Sequence, residues 1–232
     1  MAFRQISDEP GYRADRPHSV LAAVRSVIPR VPCRADPAVL HSVPSRIGAV
    51  TDARQQLIDY ISEGAVFHGD FILTSGKKAT YYVDLRRVSL DHRVAPLIGQ
   101  VMLDLIADVA GVVAVGGMTM GADPIAAAVL HQGAARGLSY DAFVVRKEPK
   151  DHGRGRQVEG PDLAGKRVIV LEDTSTTGGS PLAAIEALKK VGAEIAGVAV
   201  VVDRDTGARE VIEAAGYPYL AAISLADLGL SK

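Results

Sequence analysis

The chain has 232 residues, with 26 basic and 27 acidic side chains and a formal net charge of −1. That length holds one sizeable α/β core, and the near-cancelling charge excludes a general attraction to nucleic acid or to a membrane surface. A single cysteine, Cys33, excludes an internal disulfide and fits a reducing, cytoplasmic setting.

No apolar run reaches the ~18 residues that a membrane helix needs. His18, His41, His68, His92, His131 and His152 are scattered without ligand spacing, so a structural zinc site is not expected. Residues 1–50 carry seven Arg, no Lys and six Pro, with no sustained apolar period. Proline breaks both helix and strand, so this stretch reads as a flexible or non-native extension, without the apolar core of a secretory signal. The ordered domain is expected over 51–232, opening with a helix capped by Thr51 or Asp52 and carrying Leu57, Ile58 and Ile61.

Short strands are expected at Phe71-Ile72-Leu73 and Thr80-Tyr81-Tyr82-Val83, around a turn at Ser75-Gly76. Val94, Leu97, Ile98, Val101, Leu105 and Ile106 recur at helical spacing. Val112–Val115 reads as a buried strand, with Gly116-Gly117 opening a loop into a helix at 124–136. Further strands are expected at 142–145, 168–171, 195–202 and 220–225, and a helix marked by Leu182, Ile185, Leu188 and Val191. Strands alternating with helices predict an α/β fold: a mostly parallel twisted sheet flanked by helices, with a small N-terminal helix and strand hood. Ligands of such sheets bind beyond the carboxyl ends of the strands.

Two segments sit where such ligands bind. In the first, the apolar run Val168-Ile169-Val170-Leu171 meets two acids, Glu172-Asp173, then Thr174-Ser175-Thr176-Thr177-Gly178-Gly179-Ser180 and a helix. A helix N-terminus has unpartnered N–H groups and partial positive charge, so it favours phosphate. Glycine lets the backbone approach the ligand, and paired acids suit a sugar diol. The segment reads as a site for a phosphorylated sugar. An ordinary polar connection is the plainer alternative, but such loops seldom join two acids to a hydroxyl run. The glycine patterns of dinucleotide folds and of P-loops are absent.

In the second, Arg146-Lys147-Glu148-Pro149-Lys150-Asp151-His152-Gly153-Arg154-Gly155-Arg156 sets five Arg or Lys and one His against two acids, directly after a strand. A glycine-bearing, donor-rich loop can close over a polyanion and exclude water. The competing reading is a solvated charged loop.

The first segment resembles the signature of type I phosphoribosyltransferases, whose substrate is phosphoribosyl pyrophosphate (PRPP). The order R-K-E-x-K-x-H-G in the second is similar to the catalytic loop of the orotate phosphoribosyltransferase family, and the resemblance to that family runs over roughly residues 54–230. The resemblance implies transfer of the phosphoribosyl group of PRPP to orotate in pyrimidine biosynthesis, giving orotidine 5′-phosphate and pyrophosphate. It implies a homodimer whose loop lysines reach the neighbouring subunit's site, and Mg²⁺ held mainly by the pyrophosphate of PRPP. By position, Arg146, Lys147, Lys150 and His152 would contact phosphates. Glu172 and Asp173 would hold the ribose hydroxyls, and Thr174, Ser175, Thr176, Thr177, Gly178, Gly179 and Ser180 the 5′-phosphate. Lys147, Lys150, His152 and Asp173 would be catalytic. Orotate would meet Thr176, Tyr82 and Arg204, the last against its carboxylate. Many relatives carry lysines where this chain has Thr74 and Gly121, and those roles are not transferred. A purine-using sister enzyme and a PRPP-sensing regulator are the rivals. Arg204 and the loop order argue against the first, and the want of a nucleic-acid-binding element against the second.

Overall fold

The computed structural model describes residues 50–72, 78–148 and 156–230. The sequence's expectations for residues 1–49, and for Thr74, Lys150 and His152, lie outside the described residues.

Helix α1 spans Val50–Gly64, so Thr51 and Asp52 fall inside its first turn rather than capping it. A hairpin follows: β1 (Val66–Ile72) pairs antiparallel with β2 (Lys78–Val83), Phe67 opposite Tyr82 and His68 opposite Tyr81. After a single turn, α2 (Arg86–Ser89), comes α3 (Ala95–Ile106), which starts with Pro96 in its first turn, where the missing N–H costs nothing.

The main sheet is built from β3 (Val112–Met118), β4 (Asp141–Val145), β5 (Val158–Glu159), β6 (Arg167–Ser175), β7 (Glu194–Asp203) and β8 (Tyr219–Ser224). Its order is β5-β4-β3-β6-β7-β8. Every pairing is parallel except that of the short edge strand β5 on β4. The interleaved helices are α4 (Ala122–Ala135), α5 (Gly179–Lys190) and α6 (Ala208–Ala214).

Side chains alternate across a strand, and that period of two divides the core. Val115, Ile169, Leu171, Ala199 and Val201 pack with Leu57 and Ile61 of α1, Ile98 and Met102 of α3, and Ile125 and Val129 of α4. Their neighbours Ala114, Val168, Val170, Val198 and Val200 pack with Ala184, Ile185 and Leu188 of α5 and Ile212 of α6. Both faces are therefore covered, which is why these strands read as continuous apolar runs. Each fully buried Leu or Ile contributes on the order of 2 kcal/mol by apolar burial.

Several expectations need correction. Gly116 and Gly117 continue β3 instead of opening a loop. A Cβ on Gly116 would collide with the Phe143 carbonyl oxygen, and one on Gly117 with that of Leu171. These glycines permit a close approach of strands. Strand β6 does not stop before its acids but runs through Glu172 and Asp173 to Ser175, because β7 keeps pairing with it as far as Asp203. Val191 caps α5 and is 41% exposed, whereas Pro181, Ala184 and Ala187 complete the buried face. Neither α6 nor β5 was expected. Among the described residues, no helix is long and apolar enough to cross a membrane.

Candidate active site

Strand β6 carries its two acids to the carboxyl edge of the sheet, where β3 and β4 flank it on one side and β7 on the other. There they border a cavity of about 250 Å³. The hood contributes Tyr82, Asp84 and Arg86. The turn after β3 contributes Thr119, Met120 and Gly121, the end of β4 contributes Lys147, and Thr174 and Ser180 complete the wall. The structure thus gathers residues about 100 positions apart in the chain, which no local motif could do alone.

Glu172 is 8% exposed, and its Oε2 has no hydrogen-bond partner. Burial pushes its carboxyl up to about 8, and the charge of Asp173 adds to the effect. Asp173 Oδ1 instead accepts a hydrogen bond from the Thr174 N–H at 2.7 Å. The pair is asymmetric: one acid is desolvated and proton-retaining, its neighbour better solvated. A buried, unpaired acid oxygen beside a polar cavity is the chemistry expected where a ligand supplies the missing hydrogen bonds.

Beyond Ser175 the chain turns at Gly178, whose φ of 76° is left-handed, and enters α5 with no side-chain cap. The first-turn N–H groups are therefore left for a ligand, with the helix dipole behind them. Three ties hold this loop. Ser175 Oγ lies 2.5 Å from Tyr219 Oη on β8 and 3.2 Å from Asp203 Oδ1 on β7. Thr206 Oγ1 donates to the Thr176 carbonyl at 2.5 Å.

Arg204 leaves the end of β7, is 7% exposed, and its Nε has no hydrogen-bond partner. It is not among the residues lining the cavity. The Arg146 guanidinium faces Glu159 at 4.0 Å, at the base of the charged loop, and likewise does not line the cavity. Thr176 and Thr177 are exposed on the loop before α5, and Gly179 is exposed as its first residue. Tyr82 lines the cavity and stacks obliquely on Phe71, with ring centroids 5.9 Å apart.

Sequence reasoning missed Asp84 and Arg86, joined by an Nε–Oδ1 hydrogen bond of 2.9 Å. It missed Thr119, which donates to Asp123 at 2.7 Å beside the cis Thr119–Met120 peptide. It also missed Asp203 and Tyr219. A chain signal existed for one of these: a strand ending in Asp203 beside Arg204 invites the question of what that acid holds.

A family model for the phosphoribosyl transferase domain matches residues 98–215. The chain is 55% identical over 193 residues to an orotate phosphoribosyltransferase of Tropheryma whipplei strain Twist, covering 83% of this chain and 90% of that protein. It is 60% identical over 180 residues to one from Streptomyces avermitilis, covering 77% of this chain and 98% of the relative. Among solved structures, Mycobacterium tuberculosis H37Rv orotate phosphoribosyltransferase in complex with PRPP superposes with a TM-score of 0.67 and 47% identity, over 77% of this chain and 99% of that one.

Proposed function

The chain belongs to the orotate phosphoribosyltransferase family, and from that premise we propose that it transfers the phosphoribosyl group of PRPP to N1 of orotate. The products are orotidine 5′-phosphate and pyrophosphate. The observation that carries this reading is the Glu172–Asp173 pair at the end of β6, set beside an uncapped helix N-terminus in one small polar cavity. A diol above the acids and a phosphate at the helix describe a ribose 5-phosphate.

In the reaction the bond from the ribose C1 to the pyrophosphate oxygen breaks, and its electron pair leaves with the pyrophosphate. N1 of orotate forms the new bond to C1 and gives up its proton, which leaves with the pyrophosphate or to water. Positive charge builds on the ribose ring while negative charge builds on the leaving group, so fixed charges near each end stabilise the transition state. Asp173 and Glu172 are suited to hold the ribose hydroxyls and to favour the cationic ring. Lys147, with Lys150 and His152 of the charged loop, is suited to the pyrophosphate end, where a cation or a proton donor lowers the barrier. Arg146 would join them if the loop turns it from Glu159. Thr174, Ser175, Thr176, Thr177, Gly178, Gly179 and Ser180 form the 5′-phosphate cradle in this reading. Thr176, Tyr82 and Arg204 would face orotate, the arginine meeting its carboxylate with a planar fork.

The hard oxygens of the Asp173 carboxylate, with the partnerless Glu172 Oε2 beside them once that acid gives up its proton, fit a hard divalent cation brought in with the substrate. Mg²⁺ bound mainly to the pyrophosphate would neutralise the leaving group. The reading also takes residues 51–232 as the transferase domain, places the enzyme in the cytoplasm and makes it a homodimer with loop residues shared between subunits. The family resemblance supports the dimer, and the composition supports the compartment.

The experiment is loss of orotate ultraviolet absorbance on adding PRPP and Mg²⁺, run beside a Lys150→Ala variant. Rapid loss that collapses in the variant supports both the reaction and the loop's part in it. No loss with orotate would sink the assignment and turn attention to other bases.

A further inference from the structure

The cavity has a charge problem. Asp84, Glu172 and Asp173 all line it, yet on the proposed function it must receive a substrate rich in phosphate. The turn after β3, which flanks β6 on the side away from Arg204, supplies no cation. At Gly121 a Cβ would stand 2.8 Å from Asp173 Oδ1 and 2.9 Å from Oδ2, so that carboxylate fills the space a side chain would need. Among the described residues lining the cavity, the cations are Arg86 and Lys147.

Arg86 is held in a way that suits a binding role. It opens the short helix α2, which is anchored by the buried Val88 and Ser89. Its Nε donates to Asp84 Oδ1 at 2.9 Å, which orients the guanidinium. Among the described residues, its two Nη groups make no other hydrogen bond, and 47% of its side chain is exposed. The Asp84 carboxylate, and more weakly that of Asp173, favours its charged form. A guanidinium pinned at one nitrogen presents the other two as a fork, the shape that meets two oxygens of a phosphate. The neighbouring Arg87 differs: its guanidinium sits 5.1 Å from the Phe67 ring centroid and does not line the cavity.

We propose that Arg86 is a substrate-binding residue that grips the pyrophosphate group, entering and leaving, on the β3 and hood side of the cavity. The assignment rests on the phosphoribosyl-transfer reading and deepens it. The 5′-phosphate belongs to the start of α5 and the base to the β7 side, so the remaining anionic part of PRPP falls on the side where Arg86 and Lys147 stand. Asp84 is then a positioning residue, acting through Arg86.

The test is calorimetric binding of magnesium pyrophosphate, and separately of orotidine 5′-phosphate, to the unsubstituted protein and to Arg86→Ala, Arg86→Lys and Arg87→Ala. Folding is checked by thermal unfolding of each. Arg86→Ala should weaken pyrophosphate binding by about 10- to 100-fold, the range for losing charge-assisted hydrogen bonds. It should leave orotidine 5′-phosphate, which has no pyrophosphate, within about threefold. Arg86→Lys should recover part of the loss, keeping charge without the fork, and Arg87→Ala should match the unsubstituted protein. Unchanged pyrophosphate affinity in Arg86→Ala, or an equal loss for both ligands, overturns the proposal. Orotate consumption by the unsubstituted protein is measured in parallel. If it is absent while Arg86→Ala still loses pyrophosphate, the orotate reading fails and the Arg86 site stands.

Discussion

Ser175 Oγ and Tyr219 Oη lie 2.5 Å apart, both buried, and Asp203 Oδ1 stands 3.2 Å from the same serine oxygen. Three successive parallel strands, β6, β7 and β8, thus meet at one hydroxyl on the carboxyl edge of the sheet. Arg209 closes the group from α6, with its guanidinium 4.7 Å from the Tyr219 ring centroid. The next residue after Ser175 begins the loop before α5, and the next after Asp203 is Arg204. A single polar knot therefore fixes the spacing between the phosphate loop and the arginine read as facing orotate.

Tyr219→Phe should remove one tie and leave the ring in place. Ser175 keeps Asp203 as a partner, so the loss should be modest, about 1–2 kcal/mol of unfolding free energy. Because the knot positions the phosphate loop, KM for PRPP should rise severalfold with kcat less affected. Denaturant unfolding and initial rates check both. Ser175→Ala should do the same, and the double variant should fall short of the sum of the singles, as for partners in one network. Strict additivity would mean the two hydroxyls do not act together.

Glu172 makes stability depend on pH in an unusual direction. Its carboxyl is pushed up to about 8 in the folded protein, mainly by burial and then by Asp173, from an ordinary 4.5. Between those values the folded state holds a proton that the unfolded state has lost. Stability then falls as pH rises through this window, by at most a few kcal/mol. The decline should be missing in Glu172→Gln, which should be more stable than the unsubstituted protein at pH 8 and close to it at pH 5. Thermal unfolding without substrate, across pH 5 to 8, is the measurement. Ribose hydroxyls that donate to this carboxyl favour its ionised form, so PRPP binding should release protons. Calorimetry in buffers of different ionisation heat reads that release, and a heat independent of buffer would contradict it.

What the sequence conveyed and what it did not have a common physical source. Strands buried on both faces announce themselves as apolar runs, so β3, β4, β6, β7 and β8 were legible in Val112–Val115, 142–145, 168–171, 195–202 and 220–225. Their ends were not, because a ladder stops where its partner stops: Thr174 and Ser175 are strand residues since Val202 and Asp203 pair with them. Gly116-Gly117 looks like a loop signal when read locally and is a strand contact when Phe143 and Leu171 are present. Helix α6 buries just Ala208 and Ile212, too few apolar positions to show a period. In the site, Glu172, Asp173, Thr174, Ser180 and Lys147 were chosen from two local motifs, and the fold brings them to one cavity with Tyr82. Asp84, Arg86 and Tyr219 carry no local pattern, since their roles exist only once the hood and β8 are in place.

Arg204 should separate affinity from stability. It is buried, its Nε lacks a partner, and a buried donor without a partner costs free energy in the unliganded protein. Arg204→Met keeps much of the volume and removes the charge. The variant should unfold at the same or a higher temperature than the unsubstituted protein, while KM for orotate rises about 10- to 100-fold, as for loss of a charge-assisted contact. KM for PRPP should change little. A fall in stability with an unchanged orotate KM would assign Arg204 to the fold rather than to the base.

Gly178 offers a paired comparison with its neighbour. Its φ of 76° lies in the left-handed region, and a Cβ there would sit 3.3 Å from Ile212 Cγ1 and 3.4 Å from the Ala208 carbonyl oxygen. Gly179, the first residue of α5, has ordinary φ, and its Cβ would meet Thr177 Oγ1 at 3.6 Å, a normal contact. Gly178→Ala should therefore cost about 1–2 kcal/mol from backbone conformation, with some addition from crowding against α6. Gly179→Ala should leave stability unchanged or slightly raised, since alanine favours the helix. The strain at position 178 also bears on function. Relieving it means rotating the peptide that leads into α5, which would swing the first-turn N–H groups away from the phosphate they are read as binding. PRPP affinity of Gly178→Ala should thus fall along with its melting temperature, and inorganic phosphate binding should fall with it. A variant that melts early yet binds PRPP and phosphate as before would show that the turn serves the packing of α5 on α6 and not the cradle.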